Sequence, residues 1–398
     1  MTMTTRKLPL HFRLLNAGGA LTQAKRLRRF RLDMDAVKEQ AVQKTGLSDF
    51  GDPYFEEGLR VLLASAKDAP LHFLGHLGIH TVVVDKLCNR LLLVHAQKHT
   101  PEVFSAPLTP PLIVLGLFRS GTTHLHRLLA ENPRHYAPPY WQLKQPLATP
   151  GKDDERREAA QRELVQHAQL APEMRSKHFI TADTPEECNH LLNIGFEALI
   201  FPFHDYIRWY NAQDHLQNYQ SYRAWLQVLQ ASAPGQRLVL KAPDHTGALA
   251  ALIAAVPEAH LVQIHRDPVR AYASYNSLAA TIQGAFHAQL DLAHLAETSL
   301  DIFESETTRN LAARAAHPDA VFDVRYNDLM TEPTEVVRGV YEHYGLEFPD
   351  AQRARVAAYA ADNPQAKHGT HHYALEDFGV SAERVEARLA PYRERFEV

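Results

Sequence analysis

Apolar residues follow two different patterns along the chain. Up to about residue 105 they recur every three or four positions, for example in FEEGLRVLLASA at 55–66 and HTVVVDKLCNRLLLVHAQKH at 80–99, which predicts helices. From about residue 109 onward, short uninterrupted apolar runs alternate with helix-type stretches. Four of these runs have the length and apolar character of buried strands, at 112–117, 237–242, 260–265 and 320–326.

This alternation predicts an α/β fold, a three-layer sandwich with a mostly parallel central sheet between two layers of helices. Ligands of such folds bind at the carboxyl ends of the strands. The pattern changes at the proline-rich segment APLTPPLIVLG, which begins at Ala106. We therefore predict an accessory helical region at 1–108 and a main domain at 109–398, which contains a mostly helical insertion at about 140–235.

The composition narrows the class of protein. The 398 residues are 45% hydrophobic and 22% charged, which predicts a soluble globular chain with a large core. The net charge of -4 gives no general reason to expect nucleic-acid binding. Two cysteines cannot form a disulfide framework, which favours a reducing cytoplasm. The apolar stretch at 191–203 is shorter than the roughly 20 residues of a membrane span, and the N-terminal residues do not resemble a signal peptide.

Basic residues cluster near the N-terminus of the chain. The cluster consists of Lys25, Arg26, Arg28, Arg29 and Arg31. A solvated helix face explains such a cluster, and so does peripheral contact with anionic lipid at a membrane surface. The sequence leaves both interpretations open.

The segment GLFRSGTTHLHRLL at 116–129 follows the first predicted strand and leads into a predicted helix. Gly116 and Gly121 keep the glycine spacing of a Walker A phosphate-binding loop, but Thr122 stands where that motif has its lysine. Amides at a helix N-terminus attract an anion, and glycine allows the backbone to approach it closely. The side chains that could assist are Arg119, Ser120, Thr122 and Thr123. Loss of the lysine disfavours a Mg-dependent triphosphate and favours a different phosphate ester.

A second candidate anion site lies in VQIHRDPVRAYASYNS at 262–277. Asp267 is a predicted N-cap and Pro268 a predicted first helical residue, which puts Arg266 at the junction of strand and helix. Ser274 follows Arg266 by eight residues, about two helical turns. One anion could therefore contact both side chains.

Together and in this order, the two motifs resemble those of the sulfotransferase family that uses 3'-phosphoadenosine 5'-phosphosulfate (PAPS), in particular its bacterial branch with an N-terminal helical region. GLFRSGTTHLHRLL is similar to the 5'-phosphosulfate loop of that family, and Arg266 with Ser274 to its 3'-phosphate motif. Three further segments match in family order, RLVLKAPDH at 237–245, VRYNDLMTEPTEVVRGVYEHYGLEF at 324–348 and KHGTHHYALEDFG at 367–379. The resemblance covers roughly residues 10 to 398 and implies the P-loop-like sulfotransferase fold.

The resemblance implies PAPS as the donor substrate, a hydroxyl group as the acceptor and no metal. It implies that Arg266 and Ser274 hold the 3'-phosphate, and Tyr326 matches a family position close to the adenine. The residues implied to hold the 5'-phosphosulfate are Arg119, Ser120, Gly121, Thr122 and Thr123. The residues implied to close over the 3'-phosphate are Lys367, His368 and Gly369.

Transfer of a sulfuryl group to a hydroxyl requires neutralisation of charge at the bridging oxygen and a base for the acceptor proton. Lys241, at the end of its predicted strand, and Arg119 are candidates for the first role. His245 is the favoured base, because it opens a predicted helix facing the same crevice and its ordinary pKa suits proton transfer. Glu187 and His178 are the alternatives.

The segment that carries Glu187, KHFITADTPEECNH at 177–190, also has a purely structural interpretation. Thr184 and Glu187 have the spacing of a capping box, and Pro185 fits a first helical position. This pattern predicts the start of a helix.

Two positions depart from the sulfotransferase pattern. Phe118 replaces a proline that is common before the loop arginine, which alters packing. Gln142 stands where several relatives carry an acidic residue that serves as base. The second departure moves the predicted base to His245 or Glu187.

The acceptor is predicted as a chemical class. Aromatic residues are dense in FEALIFPFHDYIRWY at 196–210, within the insertion. These residues either form core or line an acceptor cleft. The second interpretation predicts a small apolar or aromatic alcohol or phenol as acceptor.

Two other function classes share the loop and the sheet, a P-loop-type nucleotide kinase and a catalytically silent nucleotide-binding protein. The 24 histidines raise the question of a metal site, but the pair His76 and His80 lacks the glutamate of the zinc-protease pattern. We therefore predict no metal site. The oligomeric state does not follow from the sequence.

Overall fold

Strands and helices alternate from residue 112 onward in the computed structural model, which describes residues 2–3, 8–192, 203–363 and 375–398. The strands in these ranges are β1 Thr2–Met3, β2 Leu112–Gly116, β3 His135–Tyr136, β4 Arg237–Lys241, β5 His260–His265, β6 Leu290–Asp291 and β7 Val321–Arg325. Short 3-10 helices are found at Ala24–Arg26, Arg28–Phe30, Cys188–Leu191, Pro243–His245 and Leu375–Phe378.

The α-helices of the described ranges extend from the N-terminal region to the last residues of the chain. They are α1 Leu10–Leu21, α2 Met34–Thr45, α3 Phe55–Asp68, α4 Phe73–His99, α5 Pro101–Ser105, α6 Thr122–Ala130, α7 Tyr140–Lys144, α8 Arg156–Leu170, α9 Met174–Lys177, α10 His204–Asn211, α11 Leu216–Ser232, α12 Leu249–Ala255, α13 Pro268–Gln283, α14 Leu292–Ala316, α15 Tyr326–Thr331, α16 Pro333–His343, α17 Asp350–Asp362 and α18 Ala382–Phe396. Within this part of the chain, no helix is both long enough and apolar enough to cross a bilayer.

Five parallel strands form the central sheet in the order β3-β4-β2-β5-β7. Val114 of β2 lies opposite Lys241 of β4, and Gly116 lies opposite Ile264 of β5. The four predicted strands are confirmed as β2, β4, β5 and β7, and the fold is the predicted α/β sandwich. The edge strand β3 was not predicted, because two residues do not form an apolar run. A separate antiparallel pair joins β1 to β6.

Helices cover both faces of the sheet, because its strands bury side chains on both sides. On one face, Ile113, Leu115 and Leu240 share a core with residues of α11 and α12. On the opposite face, Leu112 and Val114 share a core with residues of α6 and α16. Strands that are buried on both faces give continuous apolar runs, which is why the sequence pattern identified them.

Helices α1 to α5 occupy most of residues 10–105, as the apolar spacing predicts. Leu62 of α3 and Val83 of α4 belong to the core of this region. Phe203 and Tyr206, at the start of α10, are buried in the same core. The insertion therefore packs on the N-terminal helices, and the division into two domains at residue 108 stays a prediction.

Glycine at position 116 allows β2 to end close to β5. The φ angle of Gly116 is +144°, and a Cβ atom there would lie 2.6 Å from the carbonyl oxygen of Ile264. We expect Gly116→Ala to lower the free energy of unfolding by about 2 kcal/mol or more, because a strained φ combines with a backbone clash. Urea unfolding measures this loss.

Gly235→Ala is the matched control for this variant. Gly235 has a φ of +78°, but no atom lies within 4 Å of its Cβ position, so the replacement carries only the cost of the positive φ, about 1 kcal/mol. Equal losses in the two variants would contradict the importance of the close approach of β2 to β5.

Candidate active site

The carboxyl ends of β2, β5 and β7 meet at one edge of the sheet, and the loop after β2 crosses this edge. The loop contains two residues with positive φ, Arg119 at +68° and Gly121 at +94°. Gly121 is the N-cap of α6, and Thr122 and Thr123 are the first residues of that helix. The first amides of α6 therefore point toward the loop, where they stabilise negative charge.

Helix α13 begins after β5 as the sequence predicts. Pro268 is its first residue, and the carboxylate of Asp267 caps it by accepting a hydrogen bond from the N–H of Val269 at 2.9 Å. This arrangement places Arg266 between the strand and the helix.

Arg119 connects the loop to α13. Its Nε donates to Oγ of Ser274 at 3.1 Å, and its Nη1 donates to the carbonyl oxygen of Lys177 at 3.4 Å. Arg266 Nη1 in turn donates to the carbonyl oxygen of Arg119 at 2.6 Å. The guanidinium group of Arg266 lies 4.4 Å from the ring centre of Tyr326. The structure thus brings the two predicted anion-binding motifs and Tyr326 to one place.

The chemistry of this place fits a phosphate-bearing ligand. Arg119 and Arg266 supply two positive charges, and the ring of Tyr326 lies so close to Gly121 that a Cβ there would be 3.1 Å from Cδ2 of the tyrosine. Oγ of Ser120 is buried, and no described residue offers it a hydrogen-bond partner. A phosphate oxygen can accept hydrogen bonds from a buried hydroxyl and from adjacent helix amides at the same time.

A second group of polar side chains lies at the carboxyl end of β4. Lys241 is fully buried there, with Nζ 2.8 Å from Oε1 of Glu187 and 3.6 Å from Oε1 of Glu186. Burial by itself lowers the pKa of Lys241, but the carboxylates of Glu187 and Glu186 outweigh burial and raise the pKa above its ordinary value. Lys241 is therefore a buried and charged ammonium group.

The two adjacent glutamates have different surroundings. Glu186, which the sequence analysis did not select, is buried, and its Oε1 lies 3.1 Å from Nε2 of His178. Burial raises the pKa of Glu186, yet His178 and Lys241 hold that pKa well below its ordinary value. Glu187 is only partly buried. Glu186 is thus an internal counter-ion, whereas Glu187 keeps contact with solvent.

Asn189 connects Glu187 to Asp244, one of two buried carboxyl groups here that were not selected from the sequence. Its Nδ2 donates to Oε2 of Glu187 at 3.2 Å and to Oδ2 of Asp244 at 3.0 Å. Burial and the nearby Glu187 and Glu306 raise the pKa of Asp244 well above its ordinary value. Glu306 of α14 accepts a hydrogen bond from the N–H of Gly247 at 2.6 Å, and burial raises its pKa to about 7. The position of Asp244 within KAPDH could have indicated it, whereas the sequence around Glu306 gives no such signal.

The side chain of His245 contacts protein groups through both ring nitrogens. It is fully buried, with Nδ1 2.7 Å from the hydroxyl oxygen of Tyr219 and Nε2 3.2 Å from Sγ of Cys188. The 3-10 helix that ends at His245 directs the ring toward α11, where Tyr219 lies. Burial lowers the pKa of His245 to about 3, so the ring is neutral at pH 7.

The capping box predicted at Thr184 and Glu187 is wrong, because this segment is extended. The carbonyl oxygen of Thr184 accepts a hydrogen bond from the N–H of Tyr140 at 2.9 Å. Pro185 forms a β-bridge with Pro139, and Glu187 has extended backbone angles. Pairing with the chain before α7 outweighs the local preference for a helix start.

Both departures from the sulfotransferase pattern take part in packing. Gln142 is buried on α7, where the hydroxyl of Tyr136 donates to its Oε1 and its Nε2 donates to Oγ of Ser232 at 3.0 Å. The ring of Phe118 packs on that of Tyr275, with centroids 5.0 Å apart. Phe118 therefore makes an aromatic contact beside Arg119, at the position where the sulfotransferase pattern has a proline.

The described part of the aromatic segment forms core. Phe203 and Tyr206 are buried against the N-terminal helices, and Cη2 of Trp209 lies 2.5 Å from the position of a Cβ at Gly58. The rings of Tyr210 and His215 are 4.1 Å apart. Five residues selected from the sequence lie outside the described residues: Phe196, Phe201, Lys367, His368 and Gly369.

Histidines of the N-terminal region contact protein groups. Nε2 of His76 lies 2.6 Å from the carbonyl oxygen of Phe30, and Nε2 of His80 lies 3.0 Å from Nε2 of Gln40. In the ranges that the structure describes, no three His, Cys, Asp or Glu side chains are grouped as ligands of a metal ion would be.

Known proteins resemble this chain in sequence and in structure. A model described as "Sulfotransferase family" matches residues 110–350. Two relatives, each named ω-hydroxy-β-dihydromenaquinone-9 sulfotransferase Stf3, from Mycobacterium bovis and Mycobacterium tuberculosis, are 24% identical over 292 residues, which cover 68% of this chain and 72% of the relative.

Two crystal structures match over most of the chain. Sulfotransferase STF1 from Mycobacterium tuberculosis H37Rv is 31% identical, with a TM-score of 0.79 over 90% of this chain and 98% of that one. Sulfotransferase STF9 from Mycobacterium avium is 27% identical, with a TM-score of 0.82 over 92% of this chain and 97% of that one. The similarity of fold therefore includes most of the N-terminal helical region.

The buried carboxyl of Glu306 should make stability depend on pH. In the unfolded chain it ionises near its ordinary pKa of 4.5, whereas burial raises this pKa to about 7 in the folded chain. The stability that the neutral group contributes is therefore complete below pH 4.5 and is lost as the pH rises to about 7. Glu306→Gln removes the ionisation and keeps an acceptor for the N–H of Gly247. We expect the melting temperature of this variant, relative to that of the parent chain, to be a few degrees higher at pH 8 than at pH 5.

Differential scanning calorimetry at the two pH values measures this difference. Glu347→Gln is the control, because Glu347 is exposed and should show no such gain. The same pH response in Glu306→Gln and in the parent chain would contradict a raised pKa of the carboxyl at position 306.

Proposed function

This chain belongs to the sulfotransferase family, and we propose that it transfers the sulfuryl group of PAPS to a hydroxyl of a small apolar or aromatic acceptor. The observation that carries the proposal is a pair of hydrogen bonds, from Arg266 Nη1 to the carbonyl of Arg119 and from Arg119 Nε to Ser274 Oγ. They join the two anion-binding motifs at the adjacent ends of β2 and β5. One nucleotide can therefore contact both motifs.

We assign the donor substrate to this place. PAPS supplies an activated sulfuryl group whose leaving group is the 5'-phosphate oxygen. The amides and hydroxyls of residues 119–123, with Oγ of Ser120 among them, bind the phosphosulfate. Arg266 and Ser274 bind the 3'-phosphate, and Tyr326 lies beside the adenine. The residues proposed from the sequence to close over the 3'-phosphate are Lys367, His368 and Gly369.

Lys241 and Arg119 neutralise the charge that develops on the leaving oxygen. Lys241 suits this role because its ammonium group is buried, charged and held by Glu187 and Glu186. A cation that is already oriented in surroundings of low dielectric stabilises developing negative charge more strongly than a mobile cation in water.

Glu187 accepts the proton of the acceptor hydroxyl. Its carboxylate keeps contact with solvent, lies 2.8 Å from Nζ of Lys241 and is oriented by Asn189. As the acceptor oxygen bonds to sulfur and the bond from sulfur to the phosphate oxygen breaks, the proton moves to Glu187. Lys241 then loses its closest counter-charge, so its ammonium group becomes available to the leaving oxygen.

His245 is a positioning residue in this proposal. A base must reach the proton that it removes, and both ring nitrogens of His245 are engaged by Tyr219 and Cys188. Its lowered pKa, about 3, also makes it a weak base. His178 is the second choice, because it is only partly buried and is hydrogen-bonded to Glu186.

We propose an apolar alcohol or a phenol as the acceptor. The relatives that are 24% identical are named for ω-hydroxy-β-dihydromenaquinone-9. Phe118 directly precedes Arg119 in sequence, and Tyr275 directly follows Ser274. The rings of Phe118 and Tyr275 pack together beside these two residues. Phe118 is partly exposed next to the proposed donor site, and an aromatic ring there favours an apolar acceptor over a sugar.

Arg266→Ala should weaken binding of the reaction product 3'-phosphoadenosine 5'-phosphate by about tenfold or more, because a charge-assisted contact to phosphate is lost. A thermal-shift titration without added metal measures this affinity. Arg270→Ala is the matched control, because Arg270 is exposed on the same helix. Stabilisation of the parent chain by Mg-ATP, with no response to the bisphosphate, would overturn the donor assignment in favour of a kinase.

Glu187→Gln should lower kcat by about 100-fold, because the proton acceptor is removed, and should leave product binding unchanged, because no proposed contact to the 3'-phosphate is lost. Transfer from radiolabelled PAPS to farnesol, an apolar primary alcohol, measures kcat. His245→Gln should lower the melting temperature and retain more activity than Glu187→Gln. Full activity of Glu187→Gln together with loss of activity in a folded His245→Gln variant would return the role of base to His245.

A further inference from the structure

Helix α1 is anchored to the rest of the protein by one face. Phe12 is buried in a small core, and Oδ1 of Asn16 accepts a hydrogen bond from the N–H of Leu74 at 2.9 Å. Gly19 lies against the ring of Phe73, so closely that a Cβ there would be 2.3 Å from Cγ of the phenylalanine. The spacing of four and three residues puts Phe12, Asn16 and Gly19 on one side of the helix.

The opposite face of α1 is apolar and exposed. Its residues follow the same spacing as the anchored face but are shifted by two residues, about 200° around the helix. They are Leu10, Leu14, Ala17 and Leu21. Leu10 is 66% exposed, Leu14 63% and Leu21 85%. Of the eight large apolar side chains that are exposed in the described residues, five lie between residues 10 and 27. The exposed apolar surface is therefore concentrated on this helix and the turn after it.

The same segment is strongly basic. Residues 1–32 contain eight Lys and Arg and no Asp or Glu, while the whole chain has 42 basic and 46 acidic residues, so acids outnumber bases by 12 in the remainder. Arg13, Arg26 and Arg29 are exposed, and none of them forms an ion pair with a described residue. A positive surface thus surrounds the leucines on a chain that is otherwise acidic.

We propose that the exposed leucine face of α1 and the arginines around it dock this protein on an anionic membrane surface. An apolar helix face with flanking arginine is the composition of helices that lie in the plane of a bilayer interface. The arginines supply attraction to anionic headgroups, and Leu10, Leu14 and Leu21 insert among the acyl chains. A second copy of this chain would bring two positive surfaces together, which disfavours self-association through the same face.

A short path connects this surface to the donor site. Met174, the first residue of α9, packs in the same small core as Phe12. Lys177, the last residue of α9, accepts a hydrogen bond from Arg119 and donates from Nζ to the carbonyl oxygen of Ser277 at 2.9 Å. Docking through α1 therefore holds the donor site near the bilayer, where an apolar alcohol is concentrated. This consequence rests on the proposed function, whereas the docking surface does not.

Sedimentation of the full chain with lipid vesicles tests the proposal. We expect pelleting with vesicles of phosphatidylcholine that contain about one third phosphatidylglycerol, and little pelleting with phosphatidylcholine alone. Pelleting should weaken as salt is added, because the headgroup attraction is screened. Absence of pelleting with the anionic vesicles at low salt would overturn the proposal.

Paired variants separate insertion from charge attraction. Leu14→Ser combined with Leu21→Ser should lower partitioning onto anionic vesicles by about tenfold or more, because both leucines leave the acyl region. Val165→Ser is the apolar control, since Val165 is exposed on α8. Arg26→Glu combined with Arg29→Glu should also lower partitioning, and Arg60→Glu, on the exposed side of α3, should not.

Two outcomes would count against the proposal. Partitioning that depends on the arginines but not on the leucines would exclude insertion of α1. A dimer in the absence of vesicles, abolished by the leucine variants, would assign this face to a second copy. All variants replace exposed side chains, so their melting temperatures and their binding of 3'-phosphoadenosine 5'-phosphate should match the parent chain. These two measurements keep a failure of docking distinct from a failure of the proposed reaction.

Discussion

The close approach of β2 and β5 at their carboxyl ends is the constraint on which the proposed donor site depends. Gly116 ends β2 so near the carbonyl of Ile264 that a side chain would separate the two strands. Because the strands stay together, the loop after β2 and the start of α13 are adjacent. The hydrogen bond from Arg266 to the carbonyl of Arg119 follows from this adjacency. A site built at the ends of central parallel strands is rigid, which suits the positioning of a charged donor.

Charge balance explains the polar interior next to this site. The carboxyl groups of Glu186 and Glu187 face the buried ammonium of Lys241. Asp244 and Glu306 lie further inside, and burial raises the pKa of both. A buried carboxyl without an adequate counter-charge stays protonated, since ionisation in a low dielectric costs more than the hydrogen bonds return. Carboxyl groups with a lowered pKa and carboxyl groups with a raised pKa therefore occur together in this polar interior.

The N-terminal helices and the insertion pack against each other and share a core. Phe203 and Tyr206 of the insertion are buried among helices of the N-terminal region, and α9 lies between α1 and the loop that carries Arg119. The proposed roles in donor binding, proton transfer and acceptor access therefore fall to parts of the chain that are far apart in sequence.

Local patterns in the sequence determined the four main strands, the helical N-terminal region, the glycine loop and the start of α13 at Pro268. Each of these signals lies within about one turn or one strand, where spacing, glycine and proline act directly on the backbone. Only the tertiary structure decided the surroundings of His245, which meets Cys188 at a separation of 57 residues, and of Glu306, which meets Gly247 at a separation of 59. It likewise made the segment of Thr184 extended rather than helical and left the leucine face of α1 exposed. Burial and contact partners are set by elements that fold together from distant parts of the chain, so local periodicity carries no information about them.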